Sequence, residues 1–440
     1  MTLVERDLAA VWHPFTQHAL WPTDEPLVID RAEGRYLWTT DGQRLFDGVS
    51  SLWVTVHGHR EPALDEAVRT QLDKVAHSTF LGLTHEPGIE LAEELLRTAP
   101  WAGKVFFAGD GSSAAEAAVK MAYQAAVQRG EHRPRVVGLR EGYHGDTLGA
   151  VSVGQSDLFH GAYGPLLLDV HHAGSPGVRA PGQTAVERAE EVLSELGAWM
   201  DEHGSEVCAV VVEPLVQAAS GILTHDPSFL RGARALCDAH GALLVVDEVA
   251  TGVGATGTFW AVEQAGVAPD LLACGKRVTG GYLPLSAVLA TDAVYSAFLG
   301  DATSGRTFFH GHTYTANPLS CAVALANLRL MDARGTVAHA ASLGRRLGEG
   351  LASLTLEDGA VEVRRIGTMT GIELAPLAGE DRVGLRVCRL ARDRGVLIRP
   401  LGPVVVLMPP LGSTYDEVDE LTEVVASCVR DVRVGRAPAR

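Results

Sequence analysis

Asp270-Leu-Leu-Ala-Cys-Gly-Lys-Arg-Val-Thr-Gly-Gly281 sets one lysine, Lys276, at the end of a short apolar run. Leu271, Leu272 and Ala273 read as a buried strand, Gly275 permits close approach of the chain, and Thr279-Gly-Gly281 reads as an irregular segment. A lysine held there is partly desolvated, which favours the neutral amine, the form that attacks an aldehyde to make a Schiff base. Taken alone, a lysine after a strand is more often a solvated surface charge. Its weight comes from residues elsewhere in the chain.

On either side of this stretch, strand-like and helix-like pieces alternate from about residue 71 to 325, the pattern of an α/β domain with a mostly parallel sheet. Strand candidates are Lys104-Val-Phe-Phe-Ala, Arg135-Val-Val-Gly-Leu, Cys208-Ala-Val-Val-Val-Glu213, Ala242-Leu-Leu-Val-Val-Asp247, the run from Leu271 to Cys274, and Ser286-Ala-Val-Leu-Ala290. Asp226-Pro to Gly241 reads as a helix with Asp226 as N-cap, Pro227 in the first turn and Gly241 past its end. Functional groups of such sheets gather at the carboxyl ends of the strands.

The chemistry-bearing residues fall at those ends. Asp110-Gly-Ser-Ser113 follows a strand and opens an alanine-rich helix, so its free N–H groups and hydroxyls form either a phosphate cradle or an ordinary N-cap. Glu116 and Lys120, further along that helix, are spaced as an i,i+4 pair. Tyr143, in Gly142-Tyr-His-Gly-Asp-Thr147, can lay its ring over a flat ligand or simply pack. Glu213 and Asp247-Glu248 end apolar strands with carboxylates, and a buried carboxylate needs a partner such as a protonated pyridine nitrogen. Gly252-Val-Gly-Ala-Thr-Gly257 has the form G-x-G-x-x-G but lacks the acidic strand end of a dinucleotide site downstream. His57-Gly-His59 has no carboxylate or cysteine at ligand spacing, so no metal site is expected.

The ends of the chain have a different character. Arg35-Tyr-Leu-Trp-Thr-Thr and Arg44-Leu-Phe-Asp around Asp41-Gly42 read as a hairpin. Val396-Leu-Ile-Arg399-Pro-Leu-Gly and Val404-Val-Val-Leu-Met read as two strands around a turn, with Arg399 as the one cation in an apolar setting. Thr414-x-x-Glu417 is a capping box before Val418, Leu421, Val425 and Cys428 at helical spacing, and a short basic tail, Arg436-Ala-Pro-Ala-Arg440, closes the chain.

Composition narrows the function classes. The 440 residues are 46% hydrophobic with a formal net charge of -17, which argues against nucleic acid or an anionic membrane as partner. Six dispersed cysteines without a C-x-x-C pair read as reduced, buried thiols. The N-terminus has no leader pattern and no apolar run approaches the roughly 20 residues that span a bilayer, so a soluble, cytoplasmic protein is expected.

A Schiff-base lysine, an acid to keep a pyridine protonated, a phosphate cradle and an aromatic to cover a ring together point to pyridoxal 5'-phosphate. Asp247-Glu-Val-Ala-Thr-Gly-Val-Gly, then Asp270 to Lys276 and Thr279-Gly-Gly281, resembles the class III (ω-type) aminotransferases of the pyridoxal-phosphate fold type I group over nearly the whole chain. The resemblance implies an α/β fold: a mostly parallel, seven-stranded sheet with helices on both faces in a large domain, residues 71–325. A smaller α+β domain would come from both termini, residues 1–70 and 326–440. It implies Lys276 as the catalytic lysine, Asp247 on the pyridine nitrogen, and Gly111, Ser112 and Ser113 on the phosphate. Tyr143 would lie over the ring, with His312 also at the cofactor. Thr313 would serve the cofactor of the partner subunit, so a homodimer is implied. Phe15, Leu52, Trp53, Tyr143 and Gly311 would meet substrate, Arg399 would hold its carboxylate, and no metal is involved.

Trp12-His-Pro-Phe-Thr, Ser50-Ser-Leu-Trp-Val-Thr-Val-His-Gly-His, Glu213-Pro-Leu-Val-Gln-Ala-Ala-Ser-Gly, His310-Gly-His-Thr and Ile398-Arg-Pro-Leu-Gly are most similar to one branch of that family. Its members aminate 8-amino-7-oxononanoate to 7,8-diaminononanoate in biotin synthesis. The amino donor implied is S-adenosylmethionine or lysine, with Phe15, Gly281-Tyr-Leu-Pro284 and His312 more like the lysine-using subgroup. The chain departs from the branch at Leu52, Phe15 and Ala255, where tryptophan, tyrosine and arginine are common. A broad ω-amino acid:pyruvate transaminase, another type of pyridoxal-phosphate enzyme such as a mutase or decarboxylase, and a non-enzymatic cofactor-binding regulator are the alternatives.

Overall fold

The structure, a computed structural model, describes residues 1–435, apart from the side chains of Asp157 and Leu158. The basic tail from Arg436 lies outside the described residues. Strands β1 (Ile29–Glu33), β2 (Tyr36–Thr39) and β3 (Arg44–Asp47) form an antiparallel meander. Its second turn is the expected Asp41-Gly42 hairpin: Gly42 takes φ +89°, and the Thr39 hydroxyl donates to the Asp41 carboxylate.

The main sheet uses β4 (Lys104–Ala108), β5 (Arg135–Leu139), β6 (His171–Ala173) and β7 (Val207–Val212). After β7 comes a small hairpin, β8 (Val216–Gln217) and β9 (Leu223–Thr224). The sheet then continues with β10 (Leu243–Asp247), β11 (Leu271–Cys274) and β12 (Ser286–Ala290). The order is β4-β12-β11-β10-β7-β5-β6, seven strands as expected. Only β12 runs against its neighbours, antiparallel to both β11 and β4, so the other six strands end at one edge.

Both faces are covered, which is why these strands are apolar without alternation. Val210, Val212, Leu244, Val246 and Leu272 face one core, shared with Leu91 and Leu95, Val192 and Leu196, and Phe229 and Leu230 of three helices. Ala209, Val211, Val245, Leu271 and Ala273 face the other, against Ala114, Ala118 and Ala122 of the helix Gly111–Gln128. Small alanines let that helix lie close to the sheet, and each fully buried valine or leucine contributes about 1.5–3 kcal/mol. The Glu116–Lys120 pair expected on this helix does not form. The Glu116 carboxylate accepts the N–H of Gly149 (2.9 Å), while Lys120 Nζ lies 3.0 Å from His310 Nδ1, because each finds a better placed partner outside the helix.

The helix Pro227–His240 has the expected limits, with Asp226 accepting the N–H of Ser228 (2.8 Å) and Gly241 left-handed at φ +69°. Beyond it, β13 (Ala360–Ile366), β14 (Met369–Leu374), β16 (Arg399–Leu401) and β17 (Val404–Leu407) form an antiparallel sheet in the order β13-β14-β17-β16. Strand β15 (Val396–Leu397) leaves this sheet and pairs in parallel with β3, so the two ends of the chain share one layer. The last helix, Tyr415–Arg433, opens with the expected capping box and buries Val418, Leu421, Val425 and Cys428. Arg399 is exposed on β16 and is not enclosed, because β16 is the edge strand of this sheet, paired only with β17. All six cysteines are buried and free, and no described helix is long and apolar enough to cross a membrane.

Candidate active site

A cavity of about 480 Å³ opens at the carboxyl ends of β4, β5, β7, β10 and β11. It brings together seven of the residues singled out in the sequence: Trp53, Gly111, Ser112, Tyr143, Glu213, Asp247 and Lys276. Lys276 follows β11 by two residues, at the start of a short 3-10 turn, with its backbone in the left-handed region (φ 39°). That conformation is uncommon for a residue with a side chain and belongs to over-determined positions. Its Nζ lies 5.4 Å from the centre of the Trp53 ring. Burial pulls the pKa of this amine below the ordinary lysine value, and the charge of Asp247 offsets only part of that.

Asp247 is the last residue of β10, and its side chain is buried. One carboxylate oxygen accepts the N–H of Val249 (2.9 Å), and the other lies 2.8 Å from Nδ1 of buried His144. Burial alone would lower the His144 pKa, but the hydrogen bond and charge of Asp247, with help from Glu213, raise it above the usual value. Glu213, just after β7, accepts the N–H groups of Tyr143 (3.1 Å) and Ala218 (3.0 Å). Burial pushes its carboxyl up to about 7.

The helix Gly111–Gln128 points its N-terminus at the cavity. Asp110 caps it by accepting the backbone N–H of Ser113 (2.8 Å), and Ser113 does not line the cavity. Ser112 Oγ accepts the N–H of Asp146 (3.0 Å). The approach of these two loops requires glycine at two points. A Cβ on Gly145 (φ +117°) would sit 1.9 Å from Ser112 Oγ, and one on Gly111 would sit 2.7 Å from a methyl of Val249. Tyr143 walls one side, its hydroxyl donating to Asp146 (3.0 Å) and its ring parallel to that of His160 at 6.0 Å.

Trp53 closes another side from a strained turn. Ser50, Ser51 and Trp53 all have positive φ (51°, 60° and 65°). The fully buried Asp47 carboxylate holds this turn by accepting the N–H (2.8 Å) and hydroxyl (3.1 Å) of Ser51 and bonding His59 Nε2 (2.9 Å). Ser50 Oγ donates to the Met408 carbonyl (2.6 Å). His59 of the His57-Gly-His59 pair is thus a structural partner of Asp47.

The remaining candidates lie away from this cavity. Leu52 is 51% exposed, and Phe15, 64% exposed, reaches Tyr143 only through the edge of Phe159. Gly311, His312 and Thr313 are exposed, as is Arg399. Conversely, His144, Gly145 and Asp146 belong to the site and were not singled out in the sequence. The signal available was their position, beside Tyr143 in the loop after β5.

The donor set fits pyridoxal 5'-phosphate: a lysine amine depressed by burial, a carboxylate backed by an imidazole across the cavity, and a helix start kept open by two glycines. The family model for class-III aminotransferases matches residues 19–429.

The chain belongs to the class-III aminotransferases.

This aminotransferase is 50% identical to the adenosylmethionine-8-amino-7-oxononanoate aminotransferase of Nitratidesulfovibrio vulgaris, over 96% of this chain and 80% of that relative. Among solved structures, the protein of that same name from Methanocaldococcus jannaschii superposes with a TM-score of 0.91 at 35% identity, covering 98% of both chains. An amine transaminase from an uncultivated Pseudomonas species, solved in its PLP-bound form, also gives 0.91 at 34% identity, over 95% of this chain and 98% of that one.

Proposed function

We propose that this aminotransferase transfers an amino group to 8-amino-7-oxononanoate, giving the 7,8-diaminononanoate used in biotin synthesis. The observation that carries this reading is near-full-length identity of 50% to a relative named for that acceptor, joined to a complete lysine–carboxylate site in this chain. The names of the relatives favour S-adenosylmethionine as donor, and lysine is the competing one.

When bound, pyridoxal 5'-phosphate supplies an aldehyde that carries the amino group and a cationic ring that takes up electrons. Asp247, fixed by His144, keeps the proton on the ring nitrogen. Gly111, Ser112 and the helix start hold the phosphate, with Tyr143 and Trp53 as walls that exclude water. Lys276 in its neutral form takes the proton from the amine-bearing carbon of the donor, and in its protonated form returns one to the former ketone carbon of the acceptor. Arg399 is exposed and is available to the acceptor's carboxylate.

A second copy of the chain completes the site in this reading. Thr313 of the partner subunit would reach the phosphate, which agrees with the exposure of Gly311, His312 and Thr313 here. Leu81 (89% exposed), Phe309 (84%) and Tyr314 (64%) provide apolar surface for such a homodimer. Buried free thiols fit a reducing cytoplasm.

The likeness to an amine transaminase solved in its PLP-bound form, at a TM-score of 0.91 and 34% identity, favours one further reading, a broad amine transaminase. The test is an amino-transfer assay with 8-amino-7-oxononanoate against pyruvate as acceptor, each with S-adenosylmethionine and with lysine. The proposal expects 7,8-diaminononanoate as the preferred product. Faster transfer to pyruvate would replace it with the broader activity.

A further inference from the structure

Arg277 follows the cavity lysine directly, yet its own side chain turns the other way and is 1% exposed. Its guanidinium donates to the carbonyl of Ala250 (2.9 Å) and lies 3.8 Å from the sulfur of Met408. Its Nε has no partner at all. Among the described residues no carboxylate comes within 4.0 Å of it, whereas the other buried arginine, Arg364, pairs with Glu362 and Glu373. A buried guanidinium without a counter-charge is costly, and a sequence that served packing alone would place an apolar side chain there. Burial lowers its pKa only to about 10, so it remains a cation at neutral pH.

The position of this charge matters because Ala250, to which it is fastened, is itself part of the cavity wall. The guanidinium therefore sits immediately behind the wall that Lys276 fronts. The backbone beneath it is fixed as well: the Asn327 side-chain amide donates to the carbonyls of Arg277 and Val278 (both 3.0 Å). Burial comes first in holding the Lys276 amine below the ordinary lysine value; Asp247 from β10, Glu213 from the end of β7 and Asp146 from the loop after β5 pull it toward the ammonium form, and Arg277 adds to burial in opposing them.

We propose that Arg277 is a positioning residue whose buried, uncompensated charge behind the cavity wall adds to burial in favouring the neutral form of the Lys276 amine, so that it is ready for the cofactor's aldehyde. This rests on the reading of Lys276 as the cofactor lysine. The residue touches neither cofactor nor substrate and acts only through the field it places behind the wall.

The test is competitive acetylation of the full-length protein freed of cofactor, using trace acetic anhydride from pH 5 to 10, with modification of each lysine read by mass spectrometry. Exposed Lys74 serves as the internal reference. In Arg277→Met the midpoint for Lys276 should rise by about one pH unit or more, an about tenfold smaller neutral fraction at pH 7, while Lys74 stays unchanged. Arg277→Gln, which keeps a donor for Ala250 but no charge, should show the same rise. An unmoved Lys276 midpoint in either folded variant overturns the proposal. So does failure of both neutral variants to fold, which would make the residue structural. Borohydride reduction of the cofactor-loaded wild type separates this from the functional reading: cofactor fixed on Lys276 with an unmoved midpoint sinks only the role of Arg277, whereas no cofactor on Lys276 sinks the reading beneath it.

Discussion

The Nδ1 of His144 lies 2.8 Å from the carboxylate of Asp247, and both side chains are buried. Two residues that meet at the ends of neighbouring loops thus form one charge-assisted pair across the cavity from Lys276. The His144 pKa, which burial would lower, is instead raised by Asp247 and Glu213. A group with a raised folded pKa contributes stability that is complete below its unfolded value of about 6.5 and is lost as pH climbs through the folded value. His144→Asn should therefore cost about 3–5 kcal/mol at pH 6 and less at pH 9, read from denaturant unfolding of both proteins. An equal cost at the two pH values would show that the imidazole is not charged in the folded protein.

Glu213 follows the same sign with a different window. Its carboxyl is raised by burial from 4.5 to about 7, so its contribution is complete below about 4.5 and declines as pH passes through 7. The full effect is on the order of 3 kcal/mol. Glu213→Gln cannot ionise, so the Tm of the wild type relative to this variant should fall between pH 5 and pH 8. A constant difference across that range would contradict the burial argument.

Asp47 holds the turn that presents Trp53. Left-handed backbone at Ser50, Ser51 and Trp53 costs about 1–3 kcal/mol per residue, which the surrounding bonds must outweigh. Asp47→Ala should lower stability by about 3 kcal/mol or more and raise KM more than it lowers kcat, since it loosens a wall and leaves Lys276 in place. Steady-state kinetics with unchanged KM would remove this turn from the substrate site.

Gly145 approaches Ser112 more closely than any side chain allows. Gly145→Ala should weaken pyridoxal-phosphate binding by about tenfold or more, equivalent to about 1.4 kcal/mol, in a fluorescence titration of the cofactor-free protein. Unaltered affinity would place the phosphate elsewhere.

Much of this site is legible in the chain because each of Lys276, Asp247, Glu213 and Gly111 stands at or within three residues of the end of a run of apolar β-formers, and strand ends are where an α/β sheet puts its chemistry. The runs themselves are unambiguous because β7, β10 and β11 are buried on both faces. Strand direction is another matter: nothing local marks β12 as antiparallel, since its pattern is as apolar as that of β11. His144 escapes notice because its partner is 103 residues away and a histidine between tyrosine and glycine has no periodicity to betray burial. The strained turn at Ser50 is likewise hidden, being held by the carbonyl of Met408, 358 residues distant. Arg399 misleads in the opposite sense, since apolar sequence neighbours on an edge strand do not bury the residue between them.

The most direct test is Lys276→Ala, which removes the amine just after β11 and leaves His144, Asp247 and the start of the helix Gly111–Gln128 in place. The variant should lose transfer to 8-amino-7-oxononanoate by several orders of magnitude and lose the visible absorbance of the lysine-bound cofactor, while melting near the wild-type temperature. Full turnover with that absorbance intact would contradict the account.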